Sequence, residues 1–333
     1  MPDLSRFRRG ARAPGAAALL LVVLGVVVGD ARADAATLPS HPPLRVLVVS
    51  DEVNPHSLPP EQLTQPGDIS AALRAACNGL NLDPAADGVR EIATDDLALA
   101  TAALSMPFGD PAAYDVLVYF AHRIPNGAGG ALLQEDFVDA LEAFLVAGGG
   151  VVSFHHGAYF TAGKESVLDR IGGTASGAVP WNTTEGQNVI DVAPGHFVTT
   201  NGLVYSGTVA YEDAARGVAA DDYPYFNNTP DERYPSFEIN AGAGDVELLF
   251  ASDYDEGGTT HVLGFTHHRP GWAGVVVAYQ PGEYQPNALD DLDGDNFQIL
   301  ANAILWSSPP TPEWIFGDGF ECDQTGAWSA NVP

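Results

Sequence analysis

The stretch Gly148-Gly149-Gly150-Val151-Val152-Ser153-Phe154-His155-His156-Gly157-Ala158-Tyr159-Phe160 constrains the fold more than any other part of the chain. Three consecutive glycines end a helix, because glycine enters left-handed backbone geometry without a steric penalty. Val151, Val152 and Phe154 then make the apolar run of a strand covered on both faces. Two adjacent histidines stand where that strand stops. In open α/β sheets ligands bind at the carboxyl ends of strands. His155 and His156 are therefore the first candidates for chemistry.

The flanking sequence supplies matching units. Residues 44–50 read as a buried first strand running into the polar loop 51–56, 89–93 as a second strand, and 114–120 as a third, followed at once by Ala121-His122-Arg123. Helical periodicity covers 69–80, with Asp68 as N-cap, then 134–147, with Phe137, Leu141, Phe144 and Leu145 on one face, and 164–171. Strands alternating with helices imply βαβ units and a mostly parallel sheet. After Gly173 the pattern becomes β-rich, with strands expected at 189–192, 237–240, 246–251, 261–266 and 275–279. Residues 221–235 read as a long polar and aromatic loop, functional or a lid. Residues 297–306 close the domain as a helix capped by Asp293 or Asp295.

Arg6, Arg8, Arg9 and Arg12, the apolar run 16–28 and Ala31-Arg32-Ala33 form a secretory signal, with cleavage expected after Ala33. The formal net charge is −29, and removing residues 1–33 takes five of the 14 basic residues but two of the 43 acidic ones. So acidic a chain repels nucleic acid and anionic membranes and favours neutral or cationic ligands. An exported location follows, with no membrane association once the signal is cut. Cys77 and Cys322 are the two cysteines, too few for a disulfide framework.

Four segments between residues 44 and 308 occur in a telling order: the strand Tyr114 to Val118 with His122 after it, the turn and strand Phe144 to His156, Val192-Ala193-Pro194-Gly195-His196-Phe197-Val198, and the closing pattern of 275–282 with 299–306. In that order they resemble the trehalose-utilisation (ThuA-like) family. The resemblance implies a three-layer α/β fold of the flavodoxin-like, class I glutamine amidotransferase-like type, and a carbohydrate or oxidised sugar as substrate. Two positions depart from the family pattern. Phe197 replaces a proline, and Glu283 stands where a histidine is usual, a change that a carboxylate ligand or base could absorb. A Pro-rich linker at 309–312 leads to residues 313–333, which resemble the Phe-x-Asp-Gly-Phe-Glu…Trp-Ser tails of exported bacterial proteins.

Amidotransferases of this fold carry a nucleophilic cysteine at the sharp turn that here reads Ser153-Phe154-His155-His156-Gly157. Histidine in that place excludes thiol chemistry there. His155, His156 and Glu52 are the candidate acid and base groups. His122, His155, His56 and Glu283, all following strands at one sheet edge, are candidate ligands for a divalent metal such as zinc. Trp181, His196 and Tyr159 are candidate substrate contacts. The dispersed spacing leaves a second reading open: histidines that bond loop backbones and shape a non-catalytic sugar- or metal-binding pocket. His267-His268-Arg269 reads as a solvated turn, and the aspartates at 290–295 as helix-capping groups, with a calcium loop as the lesser alternative.

Overall fold

Val46, Val48 and Leu47, Val49 of the first strand face opposite sides, each pair joining a different apolar core. This period-two alternation, with every position buried, requires helices on both faces of the sheet. The computed structural model describes residues 43–51, 64–76, 80–122, 130–177, 187–228, 230–240, 242–254, 261–284, 289–292 and 294–309. The expected signal peptide and C-terminal tail, most of the Pro-rich linker, both cysteines, and Glu52, His56 and Trp181 lie outside the described residues.

The N-terminal half alternates β1 (Val46–Ser50), α1 (Asp68–Ala75), β2 (Val89–Ala93), α2 (Leu97–Leu104), β3 (Val116–Tyr119), α3 (Gly130–Ala147) and β4 (Gly150–Phe154), with α4 (Glu165–Ile171) after it. The C-terminal half carries β5 (Gly173–Ser176), β6 (Asn188–Asp191), α5 (Phe197–Thr200), β7 (Gly207–Asp213), β8 (Val218–Asn227), β9 (Ser236–Ile239), β10 (Asp245–Ser252), β11 (His261–His268), β12 (Val276–Tyr279) and α6 (Asp295–Ser307). One ten-stranded sheet has the order β2-β1-β3-β4-β12-β11-β10-β6-β8-β7, and β5 pairs with β9 in a separate ribbon.

Leu97, Leu104, Phe137, Leu141, Leu145 and Leu168 of α2, α3 and α4 cover one face of the sheet. Ile69, Leu73, Val198, Phe297, Leu300 and Ile304 of α1, α5 and α6 cover the other. The α/β class and three layers expected from sequence are present. No helix among the described residues is long and apolar enough to cross a membrane.

Three expectations are corrected. The sheet is parallel only from β2 to β12; from β12 to β7 every pairing is antiparallel. Direct antiparallel connections such as β11 to β12 replace helical crossovers there. The first half of the expected loop at 221–235 is strand: β8 runs to Asn227, paired with β6 and β7. Its polar side chains are exposed near the sheet's edge, so no apolar alternation marks it. Neither α1 nor α6 begins on an aspartate cap. Gly67 and Gly294 occupy those positions, while Asp68 accepts from Gln65 N and Asp295 from Val204 N.

Candidate functional site

At the end of β4 the chain turns sharply. His155 has φ 42°, the one non-glycine residue with a positive φ among the described residues. A left-handed residue with a Cβ costs about 1–2 kcal/mol, and such strain persists only where the surroundings hold it. Gly157, two residues on, permits the turn, because a Cβ there would collide with the Tyr119 carbonyl oxygen at the end of β3. His155 and His156 are both fully buried.

Each ring nitrogen of His155 has a distinct role. Nδ1 lies 2.7 Å from the Gln280 carbonyl oxygen, which can only accept, so Nδ1 carries a proton. Nε2 therefore faces the acidic side of the site: Glu232 Oε2 at 3.2 Å, Glu283 Oε2 at 3.4 Å and the Tyr234 hydroxyl at 2.9 Å. The same Glu283 oxygen is 3.2 Å from His156 Nε2. Burial opposes charge on His155, but the hydrogen bond to Glu232 and the charges of Glu283, Glu232 and Asp231 outweigh it and push its pKa up to about 9. Burial, helped by the neighbouring carboxylates, holds the Tyr234 hydroxyl well above its ordinary value.

Two buried groups brace this cluster. Lys164 donates from Nζ to the carbonyl oxygens of Ala121 (2.7 Å), His156 (2.7 Å) and Tyr159 (3.0 Å). Three acceptors match the three protons of an ammonium, although burial, opposed by Asp51, pulls its pKa down to about 7. Asp231, beside Glu232 in the chain, accepts from the backbone N–H groups of Gly282, Glu283 and Tyr284. Burial raises the Asp231 pKa against the pull of His155 and these donors.

His155, His156 and Glu232 each offer a ligand atom within 4.8 Å of the others, a group that could hold a metal ion. The Nδ1–H bond from His155 to a backbone carbonyl is the outer contact that fixes a ligating imidazole with its Nε2 lone pair inward. Five rings form a closed circuit at the site, His155–His156–His122–Tyr159–Tyr234, with neighbouring centroids 4.5–5.2 Å apart. His122 and Tyr159 are its two partly exposed members.

No family model matches the sequence, and no curated protein matches it. The chain is similar to ThuA-like proteins of known structure. One described as ThuA-like, from Bacteroides uniformis, aligns over 81% of this chain and 94% of its own, with 17% identity and a TM-score of 0.47. Another so described, from Parabacteroides merdae, covers 80% of this chain and 90% of its own at 12% identity and a TM-score of 0.47. A cytoplasmic protein from Salmonella typhimurium covers 80% and 100% at 13% identity and a TM-score of 0.46.

Of the residues singled out in the sequence, His155, His156 and Glu283 come together. His122 lies beside them: its N–H donates to Asp51 Oδ2 (2.7 Å), its ring stacks on Tyr159, and its edge meets His156. His196 is placed as the cap of α5, its Nδ1 accepting from Val198 N at 3.2 Å and its ring packed on Trp306. His267 corrects the reading of a solvated turn. It is fully buried, with Nδ1 against the Arg170 carbonyl and Nε2 accepting from Gly244 N.

Glu232, Gln280, Asp231 and Lys164 were not assigned to the site from sequence, and Tyr234 read there as one of several aromatics that either stack on a sugar or pack in a loop. The aromatic and acidic composition of 221–235 was the one available signal, and its last residues are the ones that reach His155.

Proposed function

We propose that this chain is an exported ThuA-like protein that acts on a carbohydrate or an oxidised sugar at the His155 cluster, assisted by a divalent metal ion such as zinc. The observation that carries the reading is His155 itself, held in a strained backbone conformation at a strand end with Nε2 facing Glu232, Glu283 and Tyr234. The order β2-β1-β3-β4-β12 is that of a flavodoxin-like sheet with β12 as its fifth strand, which supports the class I amidotransferase-like fold. The N-terminal signal pattern supports export.

The donor set fits a zinc-like ion: two imidazoles and one carboxylate, all buried, which leaves a fourth position for substrate or water. His155, His156 and Glu232 would hold it, and Glu283 stands against both histidines. Such an ion supplies a Lewis acid for a sugar carbonyl or hydroxyl oxygen. The chain's own groups do the rest. Glu283 would take up and return the proton of a substrate hydroxyl, the Tyr234 hydroxyl, which burial keeps protonated, would donate a hydrogen bond to a substrate oxygen, and His122 and Tyr159 would meet the substrate at the exposed side.

Metal analysis and turnover on a panel of sugars and oxidised sugars test this. One zinc-like ion per chain, lost together with turnover in His155→Ala, is the expected result. The complete burial of His155 and His156 favours a second reading, a non-catalytic sugar- or metal-binding module. A protein that binds sugars and returns them unchanged supports that module, and one without metal sinks the metal-assisted version.

A further inference from the structure

We propose that Asp231 is a positioning residue that sets Glu232 at the distance from His155 and His156 that a divalent cation requires, and Glu283 against both histidines; this rests on the metal reading of the same site. The Asp231 carboxylate accepts five N–H groups. Oδ1 takes those of Glu232 (2.9 Å), Glu283 (3.0 Å) and Tyr284 (2.9 Å). Oδ2 takes Gly282 N (2.8 Å) and the Asn228 side-chain amide (3.0 Å). A carboxylate offers about four lone-pair sites, so this one is saturated and has no capacity left for a metal. Glu232 and Glu283, by contrast, turn their carboxylates toward the histidines.

The geometry joins two segments far apart in sequence. Gly282 has φ 139°, so its N–H and the two that follow converge on one anion, as in a backbone nest. Glu232 is fixed by its own N–H to Asp231 and by its carbonyl, which accepts from Gln280 Nε2 at 3.0 Å. Asp231 is in turn anchored to the start of α6: Asn228 accepts from Asn296 Nδ2 (2.6 Å), and Asn296 accepts from the Tyr279 hydroxyl (2.6 Å). Asp231, Asn228, Asn296 and Tyr279 are all buried. One side chain thus holds the backbones of both acids, and Asn228, backed by Asn296 of α6, holds that side chain.

Cobalt(II) titration of the full chain, read by visible absorption, tests the assignment. The wild type is expected to bind one cobalt with a ligand-field spectrum, and His155→Gln to lose it. Asp231→Asn replaces one acceptor oxygen with an amide that faces two donors. It is expected to unfold cooperatively, bind cobalt about 10–100-fold more weakly and show an altered spectrum. A folded Asp231→Asn protein with wild-type affinity and spectrum overturns the proposal, and so does weaker binding with an unchanged spectrum, which marks general loosening. If Asp231→Asn does not fold, Asn228→Ala decides: a smaller change of spectrum and affinity supports the proposal, and wild-type behaviour overturns it. A wild-type chain that takes no cobalt, or a His155→Gln chain that keeps it, overturns the metal reading and this inference with it.

Discussion

The Tyr234 hydroxyl lies 2.9 Å from His155 Nε2, and the two rings stack with centroids 4.9 Å apart. The stack and the hydrogen bond are separable. Tyr234→Phe keeps the ring and removes the hydroxyl, leaving Nε2 to the carboxylates alone. The variant is expected to fold, to lose about 1 kcal/mol of stability and to retain its metal content. Urea unfolding and metal analysis of the purified variant check this. A loss of metal equal to that of His155→Ala would place the hydroxyl among the groups that hold the ion.

Ligand linkage gives a second prediction. An ion that binds only the folded chain stabilises it by about 2.7 kcal/mol at a free concentration one hundred times its Kd. Zinc is therefore expected to raise the melting temperature of chelator-treated protein, and EDTA to lower it again. Glu283→Gln leaves the histidines in place and removes a charge 3.2 Å from His156 Nε2, so it should shrink the zinc-induced shift. Calorimetric scans with and without zinc measure both effects, and a melting temperature indifferent to zinc and to EDTA counts against the site.

Lys164 joins the ends of β3 and β4 through three carbonyl oxygens while fully buried. Lys164→Met fills similar space and leaves those acceptors facing an apolar chain. Each buried polar group that loses its partner costs about 1–3 kcal/mol. His156 O keeps the N–H of Tyr159, which softens the loss there. The expected net destabilisation is about 3–5 kcal/mol, read from the urea midpoint. A change under about 1 kcal/mol would mean that water replaces the ammonium.

The parts of the site legible in the sequence are those encoded locally. A glycine run, an apolar strand and two histidines announced β4 and its turn within thirteen consecutive residues. Glu283 was legible through its place after the last strand. Glu232 was not, because it reaches His155 across 77 residues, from a segment whose preceding strand lies exposed near the sheet edge. Gln280 acts through its backbone carbonyl, 125 residues from its partner, and a carbonyl carries no sequence signature. His267 shows the converse: it reads as part of a solvated turn in the sequence, and in the fold its ring is buried between the Arg170 carbonyl and Gly244 N. His196, for which a substrate contact and a turn cap read alike in the sequence, caps α5.

Asp191 gives the last prediction. It is nearly fully buried at the end of β6, where Oδ1 accepts from Ala193 N at 2.9 Å. Burial raises its pKa from 3.8 to about 6, against the pull of that N–H, Thr199 and Tyr205. The folded state therefore holds a proton that the unfolded chain has released between about pH 4 and pH 6. Stability from this group is greatest below the unfolded pKa and falls as pH rises through the folded one. The loss above pH 6 is at most about 3 kcal/mol, from a shift of about two units. Asp191→Asn keeps an oxygen for Ala193 N and cannot ionise. Its stability curve is expected to be flatter than that of the wild type between pH 4 and 6, and to lie above it at pH 7. Urea midpoints measured at half-unit intervals from pH 4 to pH 8 decide. An Asp191→Asn curve parallel to that of the wild type across the whole range would mean that the carboxylate ionises in the folded state as readily as in the unfolded chain.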